Sequence, residues 1–260
     1  MKLTIYQLDA FTDRVFGGNP AAIVPLNEWI PEELMQKIAA ENNLAETAFY
    51  VKDGERFHIR WFTPTVEVDL CGHATLAASY VIYNFGNFTE EIIEFTSRSG
   101  ILKVSQKGDL LELDFPADKL EPVATPEAFI QGLGQTPLET YKGSTDYLLV
   151  FDSESTVRSL KPDFRTIAQV VCRGIIVTSP GENVDFVSRF FGPQSGIDED
   201  PVTGSAHTSL TPLWSEKLGK TALTAKQVSP REGTLWCELA GNRVKIAGNV
   251  APYLVGEIDV

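Results

Sequence analysis

Cysteine is scarce in this chain: Cys71, Cys172 and Cys237 are the only three among 260 residues. An odd number so widely spaced supports neither a disulfide framework nor a zinc knuckle, and it fits a reducing compartment. Histidine is as rare, at His58, His73 and His207. No His/carboxylate spacing of a metal site accompanies the acidic loops. Positive charge is also short, with 22 Lys and Arg against 35 Asp and Glu, a net charge of −13. That balance argues against a nucleic-acid partner, which calls for a basic face, and against an anionic membrane. Apolar runs such as 147–151 fall far below the roughly 20 residues that cross a bilayer. The start, with Asp9 among alternating residues, reads as a strand and lacks the apolar core and cleavage site of a signal peptide. The expectation is a soluble, cytoplasmic protein.

What is present describes a globular chain. Hydrophobic residues make up 43% and charged residues 22%, close to the globular average, and the length suffices for a sizeable core. The chain also repeats itself. Phe57, Arg60, Phe62 and Pro64 recur as Phe186, Arg189, Phe191 and Pro193, at a constant offset of 129. Ile38-Ala39 and Ile167-Ala168 share that offset, and Gly72-His73-Ala74 meets Gly204-Ser205-Ala206 three residues later, at 132. A shared offset with the same order of elements favours duplication over chance.

Each half then reads alike. A strand (21–26; 147–152) precedes an amphipathic helix, opening at Pro31 in the first half and near Pro162 in the second. Two strands follow (46–53 and 57–63; 174–179 and 184–191), then a loop and a helix starting at Gly72 or Gly204. Hairpins close the halves at 100–116 and 234–247. The stretch 73–84 contains no charged residue, and its counterpart 205–215 is uncharged until Glu216. A helix without a polar face is buried all round. Each half is therefore expected to be a curved mixed sheet around a central apolar helix, α+β rather than doubly wound. No G-x-G-x-x-G follows a strand. The expected domains are 1–117, with the last strand, about 252–260, packing back onto it, and 118–251.

The two helix starts are where chemistry can sit. Their first N–H groups are unpaired and partially positive, a ready anion site. The glycines there, Gly72 and Gly204, allow close backbone approach, or simply make tight turns. Asp198, Glu199 and Asp200 precede the second start and read as caps and turn residues. His73 falls in the first turn of the apolar helix, as a structural histidine or as a neutral proton relay. His207 is its deeper counterpart. Glu46 enters a mostly apolar strand. Periodicity favours an exposed position, whereas burial would raise its pKa and suit it to proton transfer. Cys71 is either a small buried hydrophobe or a thiol base.

At these residues the chain resembles the PhzF-like family, named for a phenazine-biosynthesis isomerase, within the diaminopimelate-epimerase-like superfamily. The motifs are Asp9-Ala10-Phe11-Thr12 with Gly18-Asn19-Pro20-Ala21-Ala22; Glu41 to Phe49; Arg60-Trp61-Phe62-Thr63-Pro64; Glu67 to Thr75; and Asp200-Pro201-Val202-Thr203-Gly204-Ser205-Ala206-His207. They run in family order, and the Gly241-Asn242-Arg243-Val244 hairpin extends the match almost to the end. The resemblance implies two duplicated domains with the active site in the cleft between them. It implies a cofactor-independent isomerase, commonly a homodimer, without a metal, acting on a small anionic carboxylate. By motif, Glu46 matches the catalytic acid/base. His73, Asp200 and Ser205 match residues that position substrate or assist proton movement, and Asn19, Gly72, Thr203 and Gly204 match the ligand-binding turns. A second reading is a two-base racemase or epimerase. Those relatives use a cysteine on each side of the substrate carbon; here Cys71 stands at the first position and the second motif has none. A third is a binding module that keeps the fold without fast chemistry.

Overall fold

The structure is a computed structural model that describes residues 1–260. The chain divides into two compact units, one of Met1–Asp114 with Ala247–Val260 and one of Phe115–Ile246. Both are mixed α/β, with many strands and few helices.

The first unit begins with β1 (Lys2–Ala10) and β2 (Asn19–Leu26), followed by α1 (Glu32–Asn42), β3 (Glu46–Asp53), β4 (Arg56–Phe62) and the short β5 (Glu67–Val68). After α2 (Gly72–Phe85) come β6 (Ile92–Ser97), β7 (Gly100–Lys107) and β8 (Leu110–Pro116). β2 pairs parallel with β3, β3 antiparallel with β4, and β4 parallel with β6.

This sheet is covered on both faces, and strand alternation shows how. Ala22, Val24, Leu26 and Phe49 pack with Met35, Ile38 and Ala39 of α1. The alternate residues Ala21, Ile23 and Ala48 are also fully buried and, by the period-2 rule, face the other way. On that side α2 packs against β1, β2 and β3. As expected of a helix without charge, α2 is buried from His73 to Ser79. Its polar side chains turn inward on the helix itself: Thr75 Oγ1 donates to the Cys71 carbonyl at 2.5 Å and Ser79 Oγ to the Thr75 carbonyl at 2.8 Å. Such back-bonding lets hydroxyls occupy an apolar interior.

The second unit contains β9 (Glu121–Pro122), α3 (Glu127–Leu133), β10 (Glu139–Lys142), β11 (Asp146–Val150), α4 (Glu154–Ser159) and α5 (Phe164–Ile167). Then follow β12 (Gly174–Pro180), β13 (Phe186–Gly192), β14 (Ile197–Asp200), α6 (His207–Leu218), β15 (Ala222–Gln227), β16 (Gly233–Ala240) and β17 (Arg243–Gly248). Its ladders follow the same order: β11 parallel with β12, β12 antiparallel with β13, β13 parallel with β15. Phe129, Val157, Leu160 and Ile167 from the short helices pack on Leu149, Ile175 and Val177 of the sheet.

Two sequence expectations change here. The helix expected to open near Pro162 is the short α5, which Asp163 caps at the Arg165 and Thr166 N–H groups, and another short helix, α4, precedes it. The helix expected to begin at Gly204 opens as a 3₁₀ turn over Gly204–Ala206 before α6 proper. Within α6, Pro212 lacks an N–H and leaves the Thr208 carbonyl without its helical donor. The Asp118 N–H donates to that carbonyl at 3.1 Å, and Ser209 Oγ donates to the Asp118 carboxylate at 2.8 Å.

The chain ends in β18 (Val250–Asp259), which pairs antiparallel with β1 from Lys2↔Asp259 to Ala10↔Val250. No helix is long and apolar enough to cross a membrane.

Candidate active site

In the first unit, three elements bring Asn19, Glu46 and His73 together. Glu46 opens β3 opposite Ala21 of β2. It shares parity with Ala48, so it points to the α2 side of the sheet, away from Phe49 and α1. Its side chain is only 13% exposed. The exposed position favoured by periodicity is therefore corrected: Glu46 is covered because α2 begins directly above the strand end.

His73 stands in the first turn of α2, 5% exposed, and its Nε2 lies 3.2 Å from Glu46 Oε2. Its Nδ1 lies 3.2 Å from Asn19 Nδ2 and 3.5 Å from Cys71 Sγ. Burial pushes the imidazole pKa down to about 3, opposed by a hydrogen bond to the Pro20 backbone. Proline has no N–H, so its carbonyl accepts from the ring. At neutral pH the ring is uncharged, and its approach to Glu46 is not an ion pair. Nε2 makes no hydrogen bond.

Asn19 is fully buried at the start of β2. The residue before it, Gly18, has φ of +58°, and a Cβ there would strike the Ala10 carbonyl oxygen. Glycine is what lets the chain fold back tightly enough to present Asn19. Gly72 opens α2, and Cys71, its N-cap residue, makes no side-chain cap.

In the second unit, Asp200, Thr203, Gly204 and Ser205 lie along one turn between β14 and α6. Thr203 Oγ1 donates to Asp200 Oδ2 at 2.6 Å. Ser205 Oγ accepts from Arg173 Nη1 at 2.9 Å, and Arg173 is itself paired with the Asp146 carboxylate. Glu199 does not cap a helix, as its position suggested, but pairs with Arg189 at 2.7 Å.

Three further residues hold this turn; Gln227 and Arg173 have no signal in the sequence, and His207 shows there only as the deeper counterpart of His73. Gln227, fully buried at the end of β15, accepts from the Thr203 N–H at 2.8 Å and donates to the Asp200 carbonyl at 2.8 Å. His207 Nδ1 donates to the Thr203 carbonyl at 2.9 Å, and burial pushes its pKa down to about 4. Arg173 acts across 32 residues of sequence. A lone glutamine or arginine at a strand end carries no local pattern; only a pairing of β12 with β11 in the known register would have pointed to Arg173 beside Asp146.

Chemically, the first-unit cluster offers a covered carboxyl beside a neutral imidazole, which suits proton transfer. The family model described as phenazine biosynthesis-like protein matches residues 8–256. The chain is 51% identical over 261 residues to an uncharacterized isomerase of Pseudomonas aeruginosa, covering all of both chains. The crystal structure of a PhzF-family protein from Enterococcus faecalis superimposes with a TM-score of 0.98 at 46% identity, again over all of both chains. A predicted epimerase of Pseudomonas aeruginosa, 19% identical over 99% of each chain, shares the fold with a TM-score of 0.78. The chain belongs to the phenazine biosynthesis-like family and is an isomerase.

Proposed function

We propose that the chain is a cofactor-independent isomerase that moves a proton within a small unsaturated carboxylate, with Glu46 as the single acid/base. The observation that carries this reading is the covered Glu46 carboxyl 3.2 Å from the neutral Nε2 of His73. In the first step a substrate C–H bond breaks, its proton joins Glu46, and its electron pair enters the conjugated system. In the second, Glu46 returns the proton to another carbon of that system, restoring the carboxylate. One group serving in both directions needs no external oxidant or reductant. His73 and Asn19 fix the Glu46 side. Asp200, Thr203 and Ser205 orient the substrate, and the N–H groups beginning at Gly72 and Gly204 stabilise developing negative charge.

The duplication of the two units is part of the same reading. Two ion pairs support it. Arg60 Nε donates to Glu67 at 2.7 Å and its guanidinium lies 5.2 Å from the Phe62 ring centre. Arg189 Nε donates to Glu199 at 2.7 Å and lies 4.9 Å from the Phe191 ring centre. The arginines and phenylalanines share the offset of 129 and the glutamates the offset of 132. A cytoplasmic homodimer completes the proposal; all three cysteines being free thiols fits a reducing compartment.

The test is proton–deuterium exchange followed by NMR, with wild type and Glu46→Gln in D₂O and a panel of small unsaturated and amino carboxylates. Exchange or isomerisation confined to wild type supports the reading. Equal exchange in Glu46→Gln removes Glu46 from the role. A two-base epimerase is the second reading, favoured by Cys71 lying in the same cluster. Cys71→Ala separates the two: it stops a two-base enzyme and only slows the isomerase.

A further inference from the structure

We propose that Glu46, Cys71 and His73 form a binding site for a thiophilic divalent cation, Zn²⁺ by chemistry, whose occupancy removes Glu46 from proton transfer. The consequence for turnover rests on the acid/base reading above; the binding itself does not.

A carboxylate oxygen, a thiol sulfur and an imidazole nitrogen converge here, one ligand atom from each residue within 4.8 Å of the others. Tetrahedral zinc, with bonds of about 2.0 Å to nitrogen and oxygen and about 2.3 Å to sulfur, sets its ligands about 3.3–3.5 Å apart. The separation of His73 Nε2 from Glu46 Oε2 is 3.2 Å. Cys71 Sγ lies 3.5 Å from the ring at Nδ1.

An independent observation points the same way. His73 Nε2 is buried, makes no hydrogen bond and lies 3.2 Å from the Glu46 carboxylate oxygen. A cation placed between the two relieves this mismatch. The ring also hydrogen-bonds the Pro20 carbonyl, the kind of outer acceptor that orients a metal-ligating histidine. The mixed sulfur, nitrogen and oxygen set selects zinc-like ions over magnesium or calcium, which take oxygen ligands. On binding, the Cys71 S–H bond breaks, its proton leaves to solvent and a sulfur–metal bond forms. The carboxylate lone pair that would receive the substrate proton is then held by the metal.

Cobalt(II) is the probe, because thiolate ligation gives it an intense near-ultraviolet charge-transfer band. Wild type, Cys71→Ser, Glu46→Gln and the control Cys172→Ser are titrated with Co²⁺, then with Zn²⁺ by calorimetry. The expected result is one equivalent of Co²⁺ with the band in wild type and Cys172→Ser, and no band in Cys71→Ser. Zn²⁺ affinity should fall at least about tenfold in Cys71→Ser and Glu46→Gln, since even outer-shell changes cost that much. No band in wild type, or a band that survives in Cys71→Ser, overturns the proposal. Failure of the acid/base reading is seen separately, as deuterium exchange retained by metal-free Glu46→Gln. Where wild type exchanges a carboxylate, Zn²⁺ should suppress it and a chelator restore it; Zn²⁺ bound at this site without suppression overturns the inhibitory role.

Discussion

Glu46 Oε2 lies 3.2 Å from His73 Nε2, and both side chains are held there from opposite directions. The glutamate comes up from the first residue of β3, and the histidine comes down from the first turn of α2. Both backbones are fixed, the one by pairing with β2 and the other by a buried helix. The pair is therefore preorganised, which is what proton transfer at fixed distance requires.

The two buried histidines make stability fall in mild acid. Both have native pKa values pushed below the ordinary 6.5 by burial, His73 to about 3 and His207 to about 4. In the unfolded chain they protonate as pH drops through 6.5, while the native state stays neutral. Unfolding therefore becomes easier from about pH 6.5 down to pH 3–4, by roughly 1 kcal/mol per pH unit for each histidine. Urea unfolding at pH 7, 6, 5 and 4 checks this. His207→Gln should flatten the slope, and an unchanged slope would remove His207 from the effect.

Asn19→Ala deletes a fully buried side chain that meets His73 Nδ1 at 3.2 Å. The expected loss is about 1–3 kcal/mol of stability. Release of the ring should also slow proton exchange by up to about 10²-fold. Thermal melting and the D₂O assay measure the two effects. Full activity with a lowered melting temperature would make Asn19 purely structural.

Gln227→Leu preserves volume but strands the Thr203 N–H and the Asp200 carbonyl, which Gln227 satisfies at 2.8 Å each. The cost is about 1–3 kcal/mol for each buried group left bare. Amide hydrogen exchange at Thr203 should accelerate while that of β12 is unchanged. Equal protection at Thr203 in both proteins would show that the turn is held by its other contacts.

Arg189 illustrates the asymmetry of buried ion pairs. Besides Glu199 it serves the carbonyls of Val157 at 3.1 Å and Leu160 at 2.8 Å. Arg189→Met should destabilise by about 3–5 kcal/mol, because a half-buried carboxylate is left alone. Adding Glu199→Leu should recover part of that loss. A double variant as unstable as the sum of the two single ones would mean that the pair is not coupled.

Much of this architecture can be read in the residues themselves. The uncharged stretch 73–84 announces α2, and the Phe57/Phe186 offset announces two similar strand ladders, because both signals are local. Glu46 reads differently in sequence and in space. Its strand ends there, so periodicity cannot say what covers it; the cover is α2, 26 residues away. Gln227 and Arg173 are invisible for a related reason. Each bonds to backbone or to a hydroxyl on another element, and such partners leave no pattern of spacing. Pro212 is legible as a break, but only the structure shows that Asp118 fills the gap it leaves.

The pairing of β1 with β18 sets an order of assembly. Val250–Asp259 is synthesised after every residue of the second unit, yet it zips along the whole of Lys2–Ala10. A nascent chain emerging from the ribosome can thus complete the middle of its sequence while β1, paired with β2 on one edge, still waits for its second neighbour. The sheet on which Glu46 stands therefore receives its last strand only when translation has reached residue 259.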